Sequence, residues 1–322
     1  PYTTLFRSIS TLYVSHGAPY RLTRTFLRES PIQKLEIDTY DKILKLPNSI
    51  RKLALQIDDY PRIHISQLKR LTRLEFLKLD IHIEDLLRNQ YRFGWAVNTS
   101  TVKVSLDLQV YDSEWMDLNI DIKAPFWRKV KCRVDVCDLV AFNYLLKSKS
   151  RISCFDKVSF SHVLEADEDV ITDYSMLRDL SSLRDLRLTW DVDGQFKVFA
   201  QTICLPPSLQ KLGLTLGYHT PLAISEIDSL DVQPLLIQLN NLSELKEFFF
   251  DTKQFGGVHN TTTPKDFCDL CIKICSAVNH GLESIRIDMI NWPEERMNNL
   301  VDLICRRFNK LKTMKMDFLG TI

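Results

Sequence analysis

The chain contains little glycine, no long apolar run and almost no net charge, and each of these absences argues against a class of protein. It has 9 glycines in 322 residues, and none of them forms the glycine-rich strand-to-helix turn that binds dinucleotides. No run approaches the roughly 18 apolar residues of a membrane helix, and no segment has the pattern of a signal peptide. The 42 basic residues balance 41 acidic ones, whereas duplex-binding proteins carry a marked basic excess. We therefore expect neither a membrane nor nucleic acid as the partner.

The sequence motifs of common catalytic sites are also missing. We find no Gly-x-Ser-x-Gly, no His-Glu-x-x-His, no phosphate-binding loop and no kinase set. The 7 histidines are scattered without the spacing of a metal site. These observations predict a protein that is not an enzyme and uses no cofactor. A hydrolytic or metal-dependent enzyme ranks third, after the two binding functions described below. It stays an alternative because catalytic side chains need only converge in space.

What the chain does contain is a short cassette of the form apolar-x-x-apolar-x-apolar. The clear copies begin at Leu74, Leu183, Leu209 and Leu282. Weaker copies begin at Ile32, Ile50, Trp127, Phe155, Leu245 and Leu311, and a blurred copy lies in residues 102–110, where two registers compete. The step between copies is about 28 residues, inside the range of leucine-rich repeats. Recurrence at this period predicts a solenoid of about ten to eleven units, in which each unit packs against its neighbours.

Strand and helix periods alternate along the chain. Each cassette has the period of a half-buried strand. After Pro264 and again after Pro293 the apolar residues share one helical face, and a shorter helix is predicted over 138–146. The predicted fold class is therefore α/β, a leucine-rich-repeat solenoid with a curved parallel sheet on the concave side and helices on the convex side. An ordinary α/β domain is the alternative, and the constant spacing of the cassettes argues against it.

The predicted domain organisation has three parts. Residues 1–8 resemble the translation of a sequencing-adapter oligonucleotide, and we exclude them from the fold. Residues 9–31 show little periodicity, which indicates a frayed cap or a partial repeat. Residues 32–322 are expected to form one repeat domain, whose two long steps, after Leu209 and after Leu245, indicate insertions in loops or lengthened helices.

The 8 cysteines suggest a reducing compartment, the cytoplasm or the nucleus. Many of them lie on predicted apolar faces, where a free cysteine behaves as a small hydrophobic residue. Cys268, Cys271 and Cys275 form the best metal candidate, but they share one helical stripe and no second Cys-x-x-Cys pair accompanies them. Packing in the core is the favoured interpretation, and no metal site is predicted.

The third, fifth and seventh positions of each cassette should face solvent on the concave side of the sheet. The predicted partner-binding residues at these positions are Phe76, Lys78, Lys129, Lys131, Arg133, Lys157, Arg187, Phe249, Asp251, Arg286 and Asp288. The middle of this surface is basic, and its C-terminal end pairs a basic row with an acidic one. Phe76 and Phe249 are aromatic residues of the kind that anchor interfaces. For Phe249 the alternative is a strand that is apolar on both sides and covered by an insertion.

Over residues 32–318 the cassettes resemble those of intracellular, irregular leucine-rich-repeat proteins. The asparagine that follows the strand in the regular subclasses is largely missing, with His82 and Ile290 in its place in two copies. Residues 46–55 (Leu-Pro-Asn-Ser-Ile-Arg-Lys-Leu-Ala-Leu) and 205–214 (Leu-Pro-Pro-Ser-Leu-Gln-Lys-Leu-Gly-Leu) resemble units of fungal and amoebal repeat proteins, where irregular repeats often follow an F-box.

This resemblance implies the substrate-binding part of an SCF-type ubiquitin ligase receptor. Such a receptor binds its protein partner on the concave face and a Skp1-type adaptor through the F-box, which would lie before residue 1. A structural scaffold without ligase association is the alternative.

Overall fold

The computed structural model describes residues 9–15, 27, 31–37, 46–57, 65–82, 101–110, 130–136, 142, 155–161, 174–191, 195–218, 231–254, 265–290 and 292–319. The chain divides into two compact units, Pro1–Asp135 and Val136–Ile322. The described residues contain twelve strands, together with four α-helices and two short 3₁₀ helices. The fold class is α/β, as the sequence predicts.

The first unit contains an open sheet whose strands follow chain order. Its strands are β1 (Thr11–Val14), β2 (Lys34–Ile37), β3 (Lys52–Ile57), β4 (Phe76–His82), β5 (Lys103–Val110) and β6 (Val130–Val136), the last of which reaches the boundary of the unit. Strands β1 to β5 pair in parallel. A 3₁₀ helix, Ile65–Arg70, lies between β3 and β4. Parallel pairing in chain order requires a crossover after every strand, as in a repeating unit.

The second unit repeats this arrangement with longer helices. Its strands are β7 (Phe155–Ser161), β8 (Asp185–Asp191), β9 (Lys211–Tyr218), β10 (Glu247–Gln254), β11 (Ser284–Ile290) and β12 (Thr313–Leu319), all parallel and in chain order. The helices between them are α1 (Gln195–Thr202), α2 (Gln233–Asn241), α3 (Lys265–Ala277) and α4 (Glu294–Arg307). Each helix packs against the next one along the chain. None of the helices that the structure describes is both long and apolar enough to cross a membrane.

The apolar cassette determines where each strand lies and which side of it is buried. In β8 the fourth and sixth cassette positions, Leu186 and Leu188, are buried, whereas Arg187 between them is exposed. Leu186 pairs in register with Leu212 of β9, which in turn pairs with Phe248 of β10. Matching cassette positions therefore align from strand to strand, and the predicted phase is confirmed for β8, β9 and β10. In the last copy, on β12, the fourth position Met314 is 45% exposed.

Backbone hydrogen bonds join the start of each cassette to the next. The carbonyl of Gln33 accepts hydrogen bonds from the backbone N–H groups of Arg51 and Lys52, at 2.8 and 2.9 Å. In the second unit the carbonyl of Gln210 accepts in the same way from Lys246, at 2.9 Å. These forked bonds satisfy polar groups at the entrance to the sheet and hold neighbouring cassettes in one register.

The two longest predicted helices are confirmed as α3 and α4. On α3 the predicted apolar face from Phe267 to Val278 is buried throughout. Helix α4 begins directly after Pro293, whose backbone is extended with ψ of 136°. Proline suits this position because its missing N–H would have no partner in the first turn. The helix predicted over 138–146 lies outside the described residues except for Phe142, which is helical and buried.

The described parts of two connections contain 3₁₀ helices where the sequence led us to expect α-helices. Short 3₁₀ helices, Ile65–Arg70 and Tyr174–Asp179, precede β4 and β8 instead. Residues three apart eclipse each other in a 3₁₀ helix, so Tyr174 and Leu177 lie on one face and both are fully buried. This 3₁₀ helix therefore buries two side chains against the sheet, whereas the longer helix α3 buries six.

The two long steps of the repeat place their extra residues between strand and helix. Fourteen positions, 219–232, separate β9 from α2, and ten positions, 255–264, separate β10 from α3. Only residues 291–293 separate β11 from α4, although α4 is the longest described helix. Helices α2 and α3 are no longer than α4, so the described helices themselves do not account for the two long steps.

Candidate binding surface

The fifth cassette positions of the second unit form a continuous row across the solvent side of four strands. Register places Arg187 of β8 beside Gly213 of β9, Gly213 beside Phe249 of β10, and Phe249 beside Arg286 of β11. A Cβ atom at Gly213 would lie 3.1 Å from Arg187 Cγ and 3.3 Å from Phe249 Cδ1. Both distances are shorter than ordinary van der Waals contact. The missing side chain therefore lets Arg187 and Phe249 approach each other over β9.

A depression of about 250 Å³ opens around Gly213. Its charged walls are Asp185, Arg187, Lys211, Glu247 and Arg286. Phe249 supplies an aromatic wall and is half-buried. Because regular strands hold all of these residues, the shape of the depression depends on backbone pairing and not on a loop.

Arg286 is held in place by contacts on two sides. Its guanidinium carbon lies 5.3 Å from the centre of the Phe249 ring, within the range of a cation–π contact. Its Nε and Nη2 atoms donate to the two carboxylate oxygens of Asp288, at 3.1 and 2.8 Å. The hydrogen bonds and negative charge of Asp288 raise the pKa of Arg286 above its ordinary value. Arg286 therefore remains a cation fixed over an aromatic ring at every physiological pH.

The charges on the third-position row are also paired in this unit. Lys211 Nζ lies 2.6 Å from Glu247 Oε1. Arg187 Nε lies 3.6 Å from Asp185 Oδ1, which is too long for a hydrogen bond. Asp185 Oδ1 is itself buried and has no hydrogen-bond partner. The Asp185 carboxylate therefore lies mostly beneath the surface of the depression, beside Arg187.

The seventh-position row forms an acidic border beside these cations. Asp288 and Asp317 are aligned on β11 and β12, and a hydrogen bond from Lys315 lowers the pKa of Asp317. Asp251, a predicted partner-binding residue, is only 8% exposed. Its negative charge contributes to the raised pKa of Arg286. Asp251 therefore acts on the surface through its charge, because too little of it is exposed for direct contact with a partner.

In the first unit the structure brings two of the predicted residues together. Lys78 Nζ lies 2.8 Å from Asp107 Oδ2, and Arg133 Nε lies 4.0 Å from Asp107 Oδ1. The Asp107 side chain is only 16% exposed, so it forms a largely buried base for the two cations. Lys131 is exposed on β6 and Phe76 is half-buried on β4.

The remaining predicted residues have less defined surroundings. Lys157 of β7 is half-buried and pairs in register with Asp185. Lys129 lies outside the described residues. The sequence did not single out Asp107 or Gly213. Asp107 falls in the copy where two registers compete, and its partner β4 settles the choice by pairing Leu79 with Leu106.

The three clustered cysteines of α3 belong to the core. Cys268, Cys271 and Cys275 are all fully buried. Burial raises the pKa of the Cys268 and Cys275 thiols to about 12, and that of Cys271 well above its ordinary value. Burial of all three side chains on one face of α3 agrees with packing in the core. Among the described residues no group of three His, Cys, Asp or Glu side chains is placed to hold a metal ion.

Comparison of the sequence with models of known protein families and with curated proteins found no match.

Proposed function

We propose that the protein is a recognition module that binds a protein partner on the solvent side of the second unit's sheet. The observation that carries this proposal is the aromatic ring of Phe249, with Arg286 stacked 5.3 Å from its centre, beside the depression over Gly213. Aromatic and arginine side chains in partly enclosed sites supply much of the binding energy of protein interfaces. Here both are fixed before binding, so little conformational entropy is lost when a partner docks.

The chemistry of the depression favours a polypeptide over a small molecule. Small-molecule sites are mostly apolar and usually exceed about 300 Å³. This depression is about 250 Å³ and its walls carry five charged side chains. Several of these charges already form pairs, such as Lys211 with Glu247. A surface of alternating charges around an aromatic residue suits a partner with its own mixture of charged and apolar side chains.

We further infer that the chain is a leucine-rich-repeat protein and that the sheet face is its concave surface. Two facts support this inference: cassettes about 28 residues apart become successive parallel strands within each unit, and matching positions align in register. Residues 46–55 and 205–214 add the resemblance to fungal and amoebal repeat proteins.

On that basis we propose the substrate-binding part of an SCF-type ubiquitin ligase receptor, working in the cytoplasm or nucleus. An F-box in the same polypeptide would recruit a Skp1-type adaptor, and the repeats would hold the substrate. The complete open reading frame distinguishes this proposal from a scaffold. F-box-like helices upstream of the repeats, together with capture of the adaptor, support the receptor, whereas an unrelated upstream sequence supports the scaffold.

Substitution of Phe249 tests the binding surface itself. A partner captured from the source cells is purified and titrated against the protein by calorimetry. Phe249→Ala is expected to cost about 2 kcal/mol or more of binding free energy, roughly a 30-fold weaker Kd, because the variant removes the aromatic anchor. Ile237→Ala is the matched control, since Ile237 is an apolar side chain 57% exposed on α2.

The two variants distinguish binding through the sheet face from binding through the helices. Thermal unfolding of each variant establishes that it is folded before binding is compared. Weak binding by Phe249→Ala with full binding by Ile237→Ala supports the sheet face. The reverse pattern would place the interface on the helices and end the proposal.

A further inference from the structure

A row of lysines on the first unit differs from every other charged row on that sheet face. Register aligns the third cassette positions of four adjacent strands, namely Lys34, Lys52, Phe76 and Lys103. The three lysines are exposed, and Phe76 between two of them is half-buried. We call Lys34, Lys52, Phe76 and Lys103 the lysine row.

The lysine row has no acidic counterpart of its own. Lys34 and Lys52 lie directly opposite each other on neighbouring strands, a placement in which like charges destabilise a sheet. None of the three lysine side chains makes an ion pair or hydrogen bond with any residue that the structure describes. The lysine row therefore presents exposed positive charges that no described acidic side chain pairs with directly.

The same row in the second unit provides an internal comparison. There the aligned residues are Asp185, Lys211 and Glu247, and Lys211 Nζ lies 2.6 Å from Glu247. Signs alternate from strand to strand, so the charges neutralise each other within the fold. The third-position charges of the second unit thus form ion pairs with each other, whereas the third-position lysines of the first unit do not.

The acids on the same face of the first unit lie further along the strands. Glu36 follows Lys34 by two residues, about 7 Å away along β2. Asp107 is engaged by Lys78 at 2.8 Å, and Asp80 accepts a hydrogen bond from Gln109 at 3.0 Å. The acids of this face therefore lie beyond the lysine row, where they are interspersed with Lys78 and Arg133.

We propose that the lysine row binds an acidic segment of a protein partner, with an apolar side chain of that segment resting on Phe76. This inference rests on the proposed function, protein recognition, and specifies a second contact region with its chemistry. Neighbouring strands are about 4.8 Å apart, so Lys34 and Lys103 are separated by about 14 Å at their backbones. An extended peptide spans the same distance between residues i and i+4.

The matching segment therefore has the pattern acidic-x-apolar-x-acidic and crosses the strands. Its two carboxylates reach the outer lysines, and its central side chain lies over the middle of the row, beside Phe76. A nucleic-acid strand fits less well, because its phosphates continue in both directions and would meet Glu36, Asp80 and Asp107 on the same face.

A selection experiment tests this proposal even before the natural partner is identified. Random 12-residue peptides are displayed and selected on the full chain, and the best peptide is titrated by fluorescence anisotropy. We expect selected peptides to be enriched in the acidic-x-apolar-x-acidic pattern. The triple variant Lys34→Glu, Lys52→Glu, Lys103→Glu should bind the best peptide at least 30-fold more weakly.

Two controls make the result specific. The variant Lys197→Glu, Lys273→Glu, Lys310→Glu changes the net charge by the same amount at exposed positions of the second unit, and it should weaken binding less than threefold. A peptide with lysine in place of both acidic residues should bind the lysine-row variant better than it binds the wild type. A defect in folding cannot produce that exchange of preference.

Three results of the peptide experiments would overturn the inference. One is a selection without acidic enrichment, and another is equal affinity of the wild type and the lysine-row variant for the selected peptide. The third is a 20-nucleotide single-stranded DNA that binds more tightly than the peptide and is lost in the same variant. The natural partner separates this inference from the proposed function. If the partner binds the lysine-row variant as tightly as the wild type but does not bind Phe249→Ala, this inference fails while the proposed function stands. If the partner binds both variants as tightly as the wild type, the proposed function fails as well.

Discussion

Two adjacent residues of β8 test the arrangement of the sheet with one substitution each. Leu186 is fully buried and aligned in register with Val158 and Leu212, which are 3% and 1% exposed. Leu186→Ala removes three carbon atoms, which costs about 2–3 kcal/mol of transfer free energy. The cavity that remains raises the loss to about 3–4 kcal/mol, because paired strands on both sides limit collapse.

Arg187→Ala is the matched control at the next position. The Arg187 side chain is 58% exposed and its contact with Asp185 is 3.6 Å long, so this variant should lose less than about 1 kcal/mol. Urea unfolding followed by circular dichroism gives the free energy of unfolding of both variants. A loss under about 1 kcal/mol for Leu186→Ala, or an equal loss for Arg187→Ala, would refute the assignment of the two faces.

Two further predictions concern the depression and the core cysteines. Gly213→Val should weaken partner binding at least tenfold while the protein stays folded, because its branched side chain fills the space between Arg187 and Phe249; unchanged affinity in the calorimetric titration would show that the depression is not used. Iodoacetamide at pH 8 should alkylate the exposed Cys305 and leave Cys268, Cys271 and Cys275 intact, because burial keeps these thiols protonated; mass spectrometry that finds all four modified at similar rates would contradict this.

The sequence predicts the strands well because two physical signals coincide in each cassette. The fourth and sixth positions, such as Leu212 and Leu214, must be apolar to be buried, and the alternation between them is the period of a strand. Helices α3 and α4 were predictable for the same reason, since long apolar stripes follow Pro264 and Pro293.

Shorter elements carry too little pattern to be identified from sequence. A 3₁₀ turn such as Tyr174–Asp179 buries only two side chains, and two apolar residues three positions apart fit a helix equally well. The blurred cassette of 102–110 shows a related limit. Its sequence allows two registers, and only pairing with β4 selects the one that places Val104 beside Leu77.

The sequence predicted which residues of the candidate site face solvent, but it did not predict the depression between them. Alternation identified Arg187, Phe249 and Arg286 as outward-facing residues. The depression, however, depends on what is missing at Gly213, a position with no side chain to attract notice. The contact between Arg286 and Phe249 likewise depends on the order of strands β10 and β11, which a single cassette does not encode.

Site-specific photo-crosslinking tests the central claim most directly. Benzoylphenylalanine is incorporated at Phe249 on the sheet face or at Lys197, an exposed position on α1, and each protein is irradiated with the captured partner. Mass spectrometry then identifies the crosslinked polypeptides. Crosslinks to the partner from position 249 and none from position 197 are the predicted result, whereas crosslinks from position 197 alone would contradict recognition through the sheet face.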